Sequence, residues 1–198
     1  MAAHGVPAFD PDRFSAGLDQ GMCYLDEHHH LQTEAEERAQ FQRYYEIVFE
    51  TFELPCSREA LIQDLVDVRF REPEIEPFPD TRPVLEQLRA NGLLLGVVSN
   101  AWPSLDRQYR MLGLRDYFGP FVISAQLGCC KPDHRIFHEA IEASCLPPSY
   151  LLFIDDEPEY VREAIQLGMH GLIMARQEPP LGAGIPIITT LAEVHRFL

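Results

Sequence analysis

The apolar run Leu151-Leu152-Phe153-Ile154 ends abruptly in Asp155-Asp156-Glu157-Pro158. Such a run reads as a buried strand delivering acids to a sheet edge, where open α/β sheets place their chemistry. Two adjacent aspartates repel each other unless a proton or a cation intervenes, and a hard divalent ion, most simply Mg²⁺, answers that at neutral pH. The same acids could equally cap the helix that follows. Two more polar points fall at strand or loop ends: Ser99-Asn100 after the apolar stretch Leu93 to Val98, and Lys131 before Pro132. In a parallel sheet such ends converge, so a hydroxyl, an ammonium and paired carboxylates could share one pocket. That set suits phosphoryl transfer. The ammonium and hydroxyl neutralise and orient non-bridging oxygens, and a metal held by Asp156 draws off developing charge. Taken singly, Ser99 reads as a helix cap and Lys131 as a surface lysine; the ordered trio is what points to chemistry.

The elements that must position these points alternate helix and strand. Asp80 or Thr81 caps a helix with Pro83 in its first turn and Asn91-Gly92 at its end, and Leu93 to Val98 then forms a buried strand. A helix from about Pro103 to Leu112, a short strand Phe121-Val122-Ile123 and a helix opened by Lys131-Pro132 follow. The strand ending at Asp155, a helix ending at Gly168, the strand His170 to Met174, and Ile185 to Ile188 leading to a last helix complete the pattern. Repeated βα units predict a doubly wound, mostly parallel, Rossmann-like sheet over residues 77–198.

Residues 1–76 read differently, as a small helical module joined by the proline-stiffened linker Pro73, Pro77 and Pro79. Asp10-Pro11-Asp12 caps one helix. Thr33 to Glu36 is a capping box, and Phe41, Tyr45, Val48, Phe49 and Phe52 recur at helical spacing. Ser57 starts a third helix with Leu61, Leu65 and Val68 on one face. His28-His29-His30 points three ways round a helix and is expected to be a solvated helix end.

Composition bounds the partners. The 198 residues are 46% hydrophobic and 24% charged, ordinary for a soluble globular protein. A formal net charge of -15 argues against nucleic acid or an anionic membrane as partners. Five cysteines without a Cys-x-x-Cys pair suggest neither a disulfide framework nor a zinc site. No leader-like segment and no apolar run near the ~20 residues of a membrane span is present, so a cytoplasmic protein is expected.

Gly96-Val97-Val98-Ser99-Asn100, Lys131-Pro132-Asp133 with Ile136-Phe137, and Phe153-Ile154-Asp155-Asp156 with Ala164 and Leu167-Gly168-Met169 resemble motifs two, three and four of the haloacid dehalogenase-like hydrolase superfamily. The helical module is similar to that superfamily's α-helical cap. The resemblance implies a Mg²⁺-dependent phosphatase acting on a small phosphorylated molecule through an aspartyl-phosphate. It implies that Ser99, helped by Asn100, binds the phosphoryl group, that Lys131 pairs with it and with the nucleophile, and that Asp156 holds Mg²⁺ with Asp155 beside it. Tyr160 stands where relatives often carry asparagine or aspartate.

The superfamily's first motif, a hydrophobic strand ending in Asp-x-Asp that supplies the nucleophile, has no counterpart. Phe9-Asp10-Pro11-Asp12 has the letters, but Pro7 interrupts its approach and Arg13-Phe14 follows, so Asp10 reads as a helix cap rather than the nucleophile. The chain is therefore expected to be truncated or degenerate, inactive as it stands, and to show an unfilled slot between the strands ending at Ser99 and Asp155. A catalytically silent phosphate- or metal-binding relative is the main alternative, and a metal-free 2-haloacid dehalogenase a further one. A phosphorelay receiver is excluded by motif order.

Overall fold

The computed structural model describes residues 10–50, 52, 57–177 and 184–198; the readings of Met1 to Phe9 and of Cys56 lie outside them. Helix α1 (Pro11–Glu27) begins where Asp10 Oδ1 accepts the backbone N–H groups of Asp12 and Arg13, at 3.1 and 3.2 Å. That engages two of the orphan donors of the first turn. Helix α2 (Glu34–Val48) starts with the full capping box of Thr33 and Glu36, and α3 (Arg58–Arg71) is capped by Ser57. The three helices close on one apolar cluster built from Leu25, Phe41, Ile62 and Val66, which Trp102 joins from the sheet side. α1 and α2 cross closely because Gly17 has no side chain; a Cβ there would sit 2.7 Å from the Val48 carbonyl oxygen. The buried face of α3 differs from the expected one. Ile62 and Val66 face inward, while Val68 is 58% exposed. Apolar residues lie all round α3, so the aromatic surface of α2 and Trp102, rather than periodicity, selects the inward face.

Helix α4 (Thr81–Ala90) buries Val84, Leu85 and Leu88. Asp80 stands at its N-cap but does not cap it with its side chain. Its Oδ2 instead pairs with Arg176 at 2.8 Å and accepts the Leu191 N–H at 2.7 Å, tying the helix to the C-terminal end of the chain. Hydrogen bonding from Arg176 holds the Asp80 carboxyl below the usual range. The strands are β1 (Val97–Ser99), β2 (Phe121–Ile123), β3 (Leu152–Asp155), β4 (His170–Met174) and β5 (Ile187–Ile188), interleaved with α5 (Leu105–Met111), α6 (Ser124–Leu127), α7 (His134–Ser144) and α8 (Pro158–Gln166). Three boundaries need correction. Leu93 and Leu94 are exposed and precede the strand. Lys131-Pro132 forms a turn with a cis peptide bond, and α7 starts later, behind its cap Asp133. The last helix is a 3₁₀ segment, Leu191–Arg196.

All strand pairings are parallel, as alternating βα units require, but they form two ladders: β1 with β2, and β3 with β4 and β5. Both ladders lie in one layer, because their alternate residues enter the same two apolar clusters. Val98 and Phe153 pack with Ile136, Phe137 and Ala164 of α7 and α8. Leu95, Leu152 and Ile154 pack on the other face with Val84 and Leu88 of α4. No ladder joins β1 to β3. Every residue of both strands is only partly buried, unlike the centre of a continuous parallel sheet. Among the described residues no helix is long and apolar enough to cross a membrane.

Candidate active site

Asn100, Lys131 and Asp155 are linked by hydrogen bonds. Lys131 lies on the loop between α6 and α7, and its backbone is held reciprocally by the residue that follows β1. Asn100 Oδ1 accepts the Lys131 N–H at 2.7 Å, and Asn100 Nδ2 donates to the Lys131 carbonyl at 3.1 Å. These bonds aim the side chain across the sheet ends. The ammonium Nζ meets Asp155 Oδ2 at 2.6 Å, with only 8% of the lysine and 10% of the aspartate side chain exposed. Ser99, the last residue of β1, directly precedes Asn100, which holds the Lys131 backbone. The C-terminal ends of β1 and β3 thus meet at a single lysine, the first through its backbone and the second through its ammonium, at the edge of a parallel sheet.

The two aspartates divide their work. Asp155 Oδ1 accepts the Glu157 N–H at 3.0 Å while Oδ2 holds Lys131, so both oxygens are engaged. Asp156 is exposed. Among the described residues no group of three or more His, Cys, Asp or Glu side chains is arranged to hold a metal. Mg²⁺ commonly takes one or two carboxylates and completes its shell with water and substrate phosphate, so Asp156 with Asp155 beside it fits that sparse mode and not an all-protein cage.

Two contacts around these residues were not legible in the sequence. The rings of Phe153 and Tyr160 lie 5.7 and 5.0 Å from the Lys131 ammonium and, with Asp155, enclose it. Burial, followed by the nearby charges of Glu157, Asp155 and Glu159, pushes the Tyr160 phenol up, against a hydrogen bond with the Asn100 side chain. A signal for this was present: Lys131 is the only lysine in a chain whose other basic residues are arginines. The second is made by Glu37 on α2, which is 0% exposed. Its carboxylate accepts both the N–H and the Oγ–H of Ser104 at 2.8 Å, fastening α2 to the loop that leaves β1. Nothing in the local pattern of α2 marks it, since a glutamate on a helix is ordinarily solvated.

Burial pushes the Glu37 carboxyl above its ordinary 4.5, outweighing the Ser104 bonds and Arg69. A carboxyl raised by folding binds more protons folded than unfolded, so stability declines as pH rises from about 4.5 through the raised value. Glu37→Gln can keep both contacts to Ser104. It is expected to flatten the stability decline above pH 4.5, read as urea midpoints across pH; a slope unchanged from the parent would show that Glu37 titrates normally.

A profile of haloacid dehalogenase-like hydrolases matches residues 18–168. The chain belongs to this hydrolase family. Haloacid dehalogenase-like hydrolase domain-containing protein 3 of Mus musculus is 32% identical over 144 residues, covering 70% of this chain and 57% of that protein. Phosphoserine phosphatase of Thermus thermophilus is 31% identical over 99 residues, 49% of this chain and 40% of that enzyme. The matched stretches thus span about half the length of these relatives. A 2-haloacid dehalogenase structure from Pseudomonas syringae superposes with a TM-score of 0.71 at 22% identity, over 96% of this chain and 81% of that one, which shows a common fold. Within the matched stretch, the geometry brings Lys131 and Asp155 into contact.

Proposed function

We propose that this hydrolase binds the phosphoryl group of a small phosphate monoester at Ser99, Asn100 and Lys131, with Mg²⁺ held by Asp156 beside Asp155. The observation that carries the reading is the nearly dehydrated Lys131–Asp155 pair at 2.6 Å, with the Lys131 backbone held by Asn100 directly after Ser99 at the end of β1. An ammonium held in so dry a place attracts anionic oxygens more strongly than it would in water. Phosphatases among the curated relatives, which include glyceraldehyde 3-phosphate phosphatase of Methanopyrus kandleri, favour a phosphate monoester over other anions.

The residues take distinct parts. Ser99 donates its hydroxyl proton to a non-bridging oxygen. Asn100 fixes the Lys131 backbone, and Asp155 fixes the ammonium. Mg²⁺, when bound, neutralises the phosphoryl charge. The carboxylate beside Lys131 is that of Asp155, whose two oxygens are engaged by Lys131 and the Glu157 N–H, and Asp10 is committed to its helix cap. Turnover through an aspartyl-phosphate therefore requires a carboxylate brought to that ammonium, and without one the same residues bind phosphate without hydrolysing the ester.

Titration calorimetry with inorganic phosphate and Mg²⁺ tests the reading. Ser99→Ala is expected to weaken binding by about tenfold to a hundredfold, the worth of a hydrogen bond to a charged group. Asp156→Asn is expected to remove the Mg²⁺ dependence. Phosphate affinity that is unchanged in both variants would place the anion elsewhere.

A further inference from the structure

Next to this site the described residues enclose a cavity of about 330 Å³, with Asn100 and Cys130 in its wall on one side and α1 and the linker before α4 on the other. Asn100 is common to its wall and to the proposed phosphate site, where it holds Lys131. Its walls combine apolar faces, among them Leu25, Ile75, Trp102 and Leu105, with two carboxylate residues, Asp26 and Glu74, and the imidazole of His29. No lysine or arginine lines it among the described residues, and the residues outside the description contain neither type. The arginine near Glu74 is taken: Arg69 pairs with that carboxylate at 2.6 Å.

From this we infer that the cavity receives the leaving group of the phosphate monoester, and that this group is a neutral or cationic alcohol with an apolar body, carrying no second anionic group. The inference rests on the phosphate reading above. A carboxylate or a second phosphate carried into the cavity would leave water for a wall that offers apolar surface, acids and a single imidazole but no ammonium or guanidinium, in a chain of net charge -15. A methyl or an ammonium at the same point meets either apolar contact or an attractive field. The volume lies at the small end of the range for metabolite sites, which fits a short leaving group.

The test uses three esters of one length: propyl phosphate, 3-aminopropyl phosphate and 3-(phosphonooxy)propanoate, with inorganic phosphate as the reference and Mg²⁺ present. Trp102, the only tryptophan, lines the cavity, so its fluorescence reports occupancy, and calorimetry gives affinity independently. The propyl and aminopropyl esters are expected to bind more tightly than inorganic phosphate and at least about tenfold more tightly than the carboxylate ester, with the Trp102 signal changing. Ile75 is 40% exposed, so Ile75→Lys should fold and should narrow or reverse the discrimination against the carboxylate ester. A carboxylate ester binding as well as the propyl ester, or a ranking unmoved by Ile75→Lys, would overturn the inference while leaving the phosphate site standing. Failure of inorganic phosphate itself to bind would remove both.

Discussion

Lys131→Met is expected to destabilise the fold by about 3–5 kcal/mol, the cost of stranding one member of a buried ion pair. Methionine keeps the length and the contact with the Phe153 and Tyr160 rings, so the loss falls on Asp155, which would keep its charge with one oxygen unpaired in a place where 10% of it meets solvent. Adding Asp155→Asn should return most of the stability, because the amide oxygen can still accept the Glu157 N–H and no net charge stays buried. Lys131→Arg should not rescue phosphate binding, since a planar guanidinium does not fit where a point charge is enclosed by two rings. Urea midpoints at constant m-value measure the stability differences. A loss below about 1 kcal/mol for Lys131→Met alone would mean that water screens the pair, as it does at a surface.

Backbone amides in β1 and β3 should exchange hydrogen in an alternating pattern. The Leu95 carbonyl and the Val97 N–H face β2, where they bond Gly119 and Pro120. The Leu151 carbonyl faces β4, bonding the His170 N–H. Successive residues of a strand point their backbone groups to opposite edges, so Gly96 and Val98 of the first segment, and Leu152 and Ile154 of the second, turn theirs toward the edge that pairs with nothing among the described residues. Their amides are expected to exchange on the order of a hundredfold or more faster than those of Val97, Ser99, Phe153 and Asp155, whose ladder bonds open only with the sheet. The same edges are templates for pairing between copies, so light scattering should rise with concentration. Uniform protection along both strands would show that a further strand occupies the edges in solution.

The class of fold, and the strand and loop ends that meet at Lys131 and Asp155, were readable from local signals, and for a physical reason. An apolar run long enough for a strand and closed by acids, a Ser-Asn at the end of another, and a Lys-Pro between them are one-dimensional patterns, and parallel βα topology forces strand ends to one side wherever the strands finally sit. Capping is equally local, which is why Asp10, Thr33 and Ser57 stand where their side chains can reach the next turn. Tertiary packing decided the rest. Asp80 carries the letter of a cap yet bonds Arg176, because a partner 96 residues away offers a charge that a helix end does not. Glu37 became a buried clamp only because α2 docks against Ser104, and the ring enclosure of Lys131 exists only because α8 carries Tyr160 past the end of β3. The inward face of α3 was chosen by its neighbours, since its own apolar residues pointed in several directions. Whether β1 and β3 would join in one ladder was likewise beyond any local pattern: two strands flanked by the same helices share both apolar faces, yet they pair only where their backbones approach to within about 5 Å, and only the three-dimensional structure sets that approach.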